Sequence, residues 1–205
     1  MQFLDYGESH YLAPPLGAQP NSEQWVDPCP HDAWLSLNAY FIHAFKLGCY
    51  PHEHAEHHPF KAQDVIWMWS RPHLRDAVAS NDSVGRPDGW ELVIAFNHVY
   101  FHNADLCTLQ TDDLFWVVIL ASRPSLLTIS TSSPECPPDG AERRTYNLVT
   151  PGIHKFSHRM VAGTSMWAEM IRDGECVARC DAGTLGFKFE GHPKTYNFNA
   201  FTCKS

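Results

Sequence analysis

From Asp64 onward the chain repeats one pattern, and that pattern limits its fold more than any other feature. β-rich runs of six to nine residues (LFWVVILAS, SLLTISTS, RTYNLV, SMWAEMIR, ECVARC, TLGFKFEG, TYNFNAFTC) are cut by Pro- and Gly-bearing turns at near-regular spacing. No strand this short buries its apolar face alone, and many of them in succession do so in two stacked antiparallel sheets. Asp173-Gly174, between SMWAEMIR and ECVARC, is the strongest hairpin signal, because a two-residue turn needs two residues that accept positive φ. The run Asp64 to Ser70, DVIWMWS, reads as a further strand, with Val65, Trp67 and Trp69 on one face.

Upstream of Asp64 the pattern differs. In HDAWLSLNAYFIHAFKLGCYP, Asp32 is a good N-cap and the apolar residues Trp34, Leu37, Phe41, Ala44 and Phe45 recur at three and four. Lys46 lies in the last turn, and Gly48 and Pro51 end the helix. Phe3-Leu4 reads as the end of a short buried strand, stopped by Asp5-Tyr6-Gly7 and followed by a Pro- and Gly-rich loop. Strand, long loop and helix make one β/α repeat, whose strand needs partners on both sides. The expected fold class is therefore α/β plus all-β, with an α/β unit over residues 1–63 and a β-sandwich over 64–205. The segment Glu91–Gln110 fits neither pattern and reads as an insertion or an ordinary hairpin.

Several function classes are excluded early. A formal net charge of −8 with scattered Lys and Arg gives no footprint for a phosphate backbone, so no nucleic-acid partner is expected. No apolar run is long enough to span a membrane, and MQFLDYGES lacks the basic and apolar regions of a signal peptide. The seven cysteines form no CxxC motif. Cys176 and Cys180, the closest pair, either bond to one another or stay buried singly, and nothing activates them for catalysis. The histidine-rich stretch HEHAEHH, residues 52–58, is not H-E-x-x-H and runs straight into Pro59. It reads as a solvated loop, with no metal site and no cofactor expected.

One constellation carries chemistry. In LDYGESHYLAP, Asp5 and Glu8 flank a turn at the mouth of a strand, where two carboxylates can face one cleft from different distances. Glycoside cleavage needs such a pair, one carboxyl protonated to donate to the leaving oxygen and one ionised. D-x-x-E is also common on solvated loops, so the spacing by itself does not decide. His10, Tyr11, His31 and Asp32 lie on the same strand-to-helix loop and at the helix start, where β/α enzymes keep ligand contacts. Asp32 serves equally as a plain helix cap.

Taken in order, DYGESHYL, PHDAWLSLNAYFIHAFKLGCYP, DVIWMWSRPHLRDAVASNDSVGRPDGW, DDLFWVVILAS and PKTYNFNAF resemble the C-terminal half of fungal α-1,3-glucanases of glycoside hydrolase family 71. The resemblance implies a (β/α)8 barrel followed by a β-sandwich, and endo-hydrolysis of α-1,3-glucan with inversion. It implies a secreted, cell-wall enzyme, and a monomer is expected. It places the acid and base on Asp5 and Glu8, in either order, roughly 6.5–9.5 Å apart as an inverting pair requires. His10, Tyr11, His31 and Asp32 would hold sugar hydroxyls. Leu4 departs from the Asn that the family tends to carry there.

Family members place a signal peptide and most of the barrel ahead of this motif. The chain is therefore expected to be a C-terminal fragment with little hydrolysis of its own. For the sandwich two other roles compete: a glucan-binding module using Trp67, Trp69, Trp90, Trp116 and Trp167, or a brace for the barrel. Alternating strand positions are those that cores use, which favours the brace.

Overall fold

Among the described residues, eight strands follow Asp64. The structure, a computed structural model, describes residues 32–54, 58–82, 113–132, 142–197 and 200–205. The strands are β1 (Val65–Ser70), β2 (Leu114–Ala121), β3 (Ser125–Ser130), β4 (Arg143–Leu148), β5 (Gly152–Arg159), β6 (Trp167–Arg172), β7 (Glu175–Asp181) and β8 (Phe201–Lys204). They form two four-stranded sheets, ordered β5-β2-β1-β8 and β4-β3-β6-β7. Every pairing between these strands is antiparallel.

The sheets stack as a sandwich because each strand alternates. Ile66 and Met68 of β1, Val117 and Ile119 of β2, Leu127 and Ile129 of β3, and Ala168 and Met170 of β6 point into one shared core. The β6–β7 hairpin turns on Asp173 and Gly174, at φ 53° and 84°. Both values are positive, as the turn chemistry anticipates.

A third layer covers the outer face of the first sheet. Helix α1 (Asp32–Leu47) buries Ala33, Trp34, Leu37 and Tyr40 against Trp67 and Trp69 of β1 and Val118 and Leu120 of β2. Val65 packs at the edge of this cluster, so the expected Val65-Trp67-Trp69 face exists and looks at the helix. The Trp67 Nε1–H donates to Ser36 Oγ at 2.5 Å, which satisfies the indole's one polar atom inside an apolar contact. Trp34 and Trp69 meet edge to face, 6.5 Å between centroids. Strand β1 is thus buried on both faces.

The helix departs from its predicted face at its second half. Phe45 was expected on the buried stripe and is 89% exposed, while Tyr40, which the spacing did not select, is fully buried. The buried positions all fall between Ala33 and Tyr40, because only that part of α1 lies over the sheet. Gly48 ends the helix as read, its N–H donating to Ala44 O at 3.0 Å.

Three strand readings are corrected. β5 was not anticipated: His154, Lys155, Ser157 and His158 make it polar, as an edge strand tolerates, yet it pairs with β2 over eight residues from Leu114↔Arg159 to Ala121↔Gly152. TLGFKFEG is no strand. Ala182–Leu185 form a 3-10 turn and Phe187 and Phe189 fill the core without pairing, leaving only an isolated bridge between Glu190 and His73. Among the described residues of TYNFNAFTC, Phe201 to Cys203 pair, as part of β8. Phe3-Leu4 and Glu91–Gln110 lie outside the described residues.

One ion pair ties the sheets where the chain crosses between them. Asp64, just before β1, accepts from both Arg172 Nη groups at 2.8 Å, from Ser122 N at 2.8 Å and from Ser122 Oγ at 3.0 Å. Arg172 ends β6 in the other sheet and also donates to Ser125 Oγ at 2.9 Å and Arg123 O at 3.2 Å. The two side chains are only 14% and 9% exposed. Burial pushes the Asp64 carboxyl up, but the hydrogen bonds from Arg172 and Ser122 outweigh it and hold it below its ordinary value. Asp64→Ala strands a buried guanidinium and is expected to cost about 3–5 kcal/mol, read as a lower urea midpoint with an unchanged slope. Replacing both partners with apolar residues should recover most of that loss.

Candidate functional site

Of the six residues singled out from sequence, the described structure contains Asp32 alone; Asp5, Glu8, His10, Tyr11 and His31 lie outside it. Asp32 is the first residue of α1, half-buried, and puts a carboxylate in the first turn, where the helix dipole favours it. The position is held by Ala33 and Trp34 immediately after it, both anchored on the sheet. The start of α1 is therefore fixed by packing.

The turn after the helix is less solvated than its sequence suggested. Tyr40 Oη and His52 Nδ1 share a hydrogen bond, and the two rings stack with centroids 6.1 Å apart. Tyr50 stacks on His52 at 5.7 Å. Burial, then Tyr50 and Glu53, hold the Tyr40 phenol well above its ordinary value, and burial pushes the His52 imidazole down. Both shifts favour the uncharged forms.

The far side of His52 meets β5. A side chain at Gly152, whose φ is 121°, would come within 2.6 Å of His52 Nε2. His52 is therefore a wedge between α1 and β5, not part of a free loop. His58, by contrast, stacks on Phe60 with His43 and His54 beside it. Among the described residues, no three His, Cys, Asp or Glu side chains converge as a metal would need.

One polar groove opens where β7 ends. It holds about 450 Å3 and is lined by Trp167, Arg179, Asp181, Thr184, Leu185 and Lys204. Its polar groups are mostly engaged: Asp181 Oδ1 accepts from Gly183 N at 2.9 Å, Thr184 Oγ1 donates to Asp181 O at 2.7 Å, and Arg179 pairs with Glu169 at 2.5 Å. Among the lining side chains Asp181 supplies the carboxylate.

The comparisons with known proteins decide the family. The profile of glycosyl hydrolase family 71 matches residues 3–205. This chain belongs to that family. A glucan endo-1,3-alpha-glucosidase of Schizosaccharomyces pombe is 28% identical over 199 residues, 97% of this chain and 38% of that protein. A mutanase of Penicillium rubens is 27% identical over 199 residues, 96% of this chain and 36% of its own length. The chain thus spans less than two-fifths of the relatives it matches. No solved structure gives a significant match.

The glycosyl hydrolase family 71 chain carries a second buried polar cluster that sequence reasoning missed. His73, 6% exposed, accepts from Asn197 N–H at Nε2, 2.6 Å away, so its neutral ring carries the proton on Nδ1. That atom lies 3.0 Å from Glu190 Oε2. Arg71, two residues before it, pairs with Asp113, whose Oδ1 also accepts from Arg75 N at 2.6 Å. Sequence gave no signal for these partners, since His73 and Asn197 are 124 residues apart.

Burial, helped by the Arg71 guanidinium, pushes the His73 pKa down to about 4 from 6.5. A histidine that is harder to protonate when folded stabilises the fold fully above pH 6.5, and that contribution is lost as pH falls toward 4. Burial pushes the Glu190 carboxyl up, which acts in the opposite sense as pH rises. Thermal midpoints measured between pH 7 and pH 4 should therefore fall less steeply for His73→Gln than for the unaltered chain. Equal slopes would show that His73 is not the group responsible.

Proposed function

We propose that these 205 residues are the C-terminal part of an inverting endo-α-1,3-glucanase. In this reading residues 1–63 are a β/α unit from the end of a (β/α)8 barrel, and 64–205 are a sandwich that braces it. The observation that carries it is the family match, which runs through Asp5 and Glu8 and on through every strand of the sandwich. The names of the relatives, a glucan endo-1,3-alpha-glucosidase and a mutanase, supply the substrate class.

The chemistry follows from two carboxyl groups. One, protonated, donates to the glycosidic oxygen as the C–O bond breaks. The other, ionised, takes a proton from a water that attacks the anomeric carbon from the opposite face, so configuration inverts. Asp5 and Glu8 fill these roles in either order, and His10, Tyr11, His31 and Asp32 hold sugar hydroxyls. The parent enzyme is secreted, acts on the cell wall and is monomeric. Alone, the 205-residue polypeptide turns over little glucan, because a barrel takes about 250 residues and its other strands would supply the remaining subsites.

Bracing, rather than glucan binding, is favoured for the sandwich by where its tryptophans lie. Trp67, Trp69 and Trp167 are 1%, 3% and 1% exposed, so no sugar ring can stack on them. Lys155 Nζ sits 4.1 Å over the Trp116 ring and covers that face too. Trp90 lies outside the described residues.

Grafting settles the assignment. With the matching segment of the fission-yeast relative replaced by this chain, the chimera should release reducing ends from α-1,3-glucan, with the product in the inverted anomeric form by NMR. Asp5→Asn or Glu8→Gln in the chimera should cut turnover by about 10²–10⁴-fold. An active chimera indifferent to both substitutions sinks the catalytic assignment. The 205-residue chain itself should neither release sugar nor sediment with insoluble α-1,3-glucan; release by it would refute its inactivity, and sedimentation would favour a binding module.

A further inference from the structure

Two sulfur atoms meet inside the sandwich. Cys180 in β7 and Cys203 in β8 are each 4% exposed, belong to different sheets, and place their Sγ atoms 3.2 Å apart. A covalent S–S bond is about 2.05 Å, so the pair stands roughly one ångström from bonding. Around it are Met68, the cross-strand partner of Cys203, and Ala168, the partner of Cys180.

Among the described residues the alternative partners are poor. A bulge at Met170/Ile171 shifts the β6–β7 register, so that Cys176 is exposed while Cys180 points inward. The bond between Cys176 and Cys180 that their spacing allowed is thereby excluded. Cys49 is exposed beyond the end of α1. A metal would need further ligands, and none converge on the pair among the described residues.

We propose that Cys180 and Cys203 are a disulfide-forming pair, a covalent staple between the two sheets that a small-molecule disulfide installs as the chain folds. The thiolate of one cysteine attacks glutathione disulfide, releasing one glutathione thiolate and leaving a mixed disulfide. The thiolate of the other attacks the protein sulfur of that bond, releasing the second. The protein dithiol loses two electrons and two protons, and one glutathione disulfide becomes two glutathione thiols. In the folded, reduced protein the hydrogen bond shared with Cys180 and burial both hold the Cys203 thiol protonated, so exchange belongs to the stage before the sheets close.

The staple also sits where the ion pair does not. In β6, Arg172 is the last residue and Ala168 lies near the start, and in the paired hairpin Cys180 is opposite Ala168. In β1, Asp64 precedes the first residue and Met68 lies toward the end, opposite Cys203. Asp64–Arg172 closes one end of the sandwich and the two sulfurs close the other.

The test is refolding of the denatured, reduced chain in a glutathione redox buffer, followed by proteolysis without reduction and mass spectrometry. A peptide joining Cys180 to Cys203 is expected. Because the residues are 23 apart in sequence, the ring should raise the midpoint by about 6–12 °C over the dithiothreitol-treated protein. That part of the difference should vanish in Cys180→Ala/Cys203→Ala. Quantitative alkylation of both thiols in the refolded protein, or their linkage to other cysteines, overturns the proposal. If the variant does not fold, the peptide map of the unaltered chain decides alone.

Discussion

The sandwich depends on a carboxylate and a guanidinium that start and end two strands of different sheets. Asp64 and Arg172 are 108 residues apart in the chain and meet through two parallel hydrogen bonds, with the Ser122–Ser125 corner supplying the remaining partners. A buried ion pair is not itself a strong source of stability, since desolvation cancels much of the Coulomb term. What it contributes is alignment. The β2–β3 corner, the entry to β1 and the exit of β6 satisfy one another only when the sheets stack in this register, and a slip by one residue would leave a charge buried without a partner.

That alignment explains why β1 can be apolar on both faces. Ile66 and Met68 look into the sandwich while Trp67 and Trp69 look outward, where they would be a large exposed patch without α1. The helix covers them with its first nine residues, and Tyr40 with His52 wedges its far end against β5. The strands of the expected sandwich and the helix of the expected β/α unit are thus in direct contact. A rigid contact of this kind is what a brace for a neighbouring catalytic unit requires.

For function, the family assignment and the described geometry divide the molecule. The two carboxylates with chemical promise belong to the segment before α1, and the described groove at β7 offers a single acid already engaged in capping a turn. Among the described tryptophans, which from composition could have formed a sugar-binding surface, Trp34, Trp67, Trp69 and Trp167 are buried in packing. Glucan chemistry, in the proposed reading, is set by the loop that ends at Asp32.

The sequence by itself determined the sandwich, the helix over 32–47 and its stop at Gly48, the Asp173-Gly174 hairpin and the face of β1 that carries Val65, Trp67 and Trp69. All of these follow from residues near one another in the chain, through the strand and helix periods and through positive φ at a turn. The DYGES motif was likewise legible as a family mark, since a motif is a local string. Only the tertiary structure decided that Tyr40 and not Phe45 is buried, that polar β5 is a strand at all, that Phe187 and Phe189 fill the core without pairing, and that Asp64 meets Arg172, His73 meets Asn197 and Cys180 meets Cys203. The physical reason is common to them: each is fixed by a partner more than twenty residues away or by where a sheet happens to end, and neither leaves a trace in the local pattern of side chains.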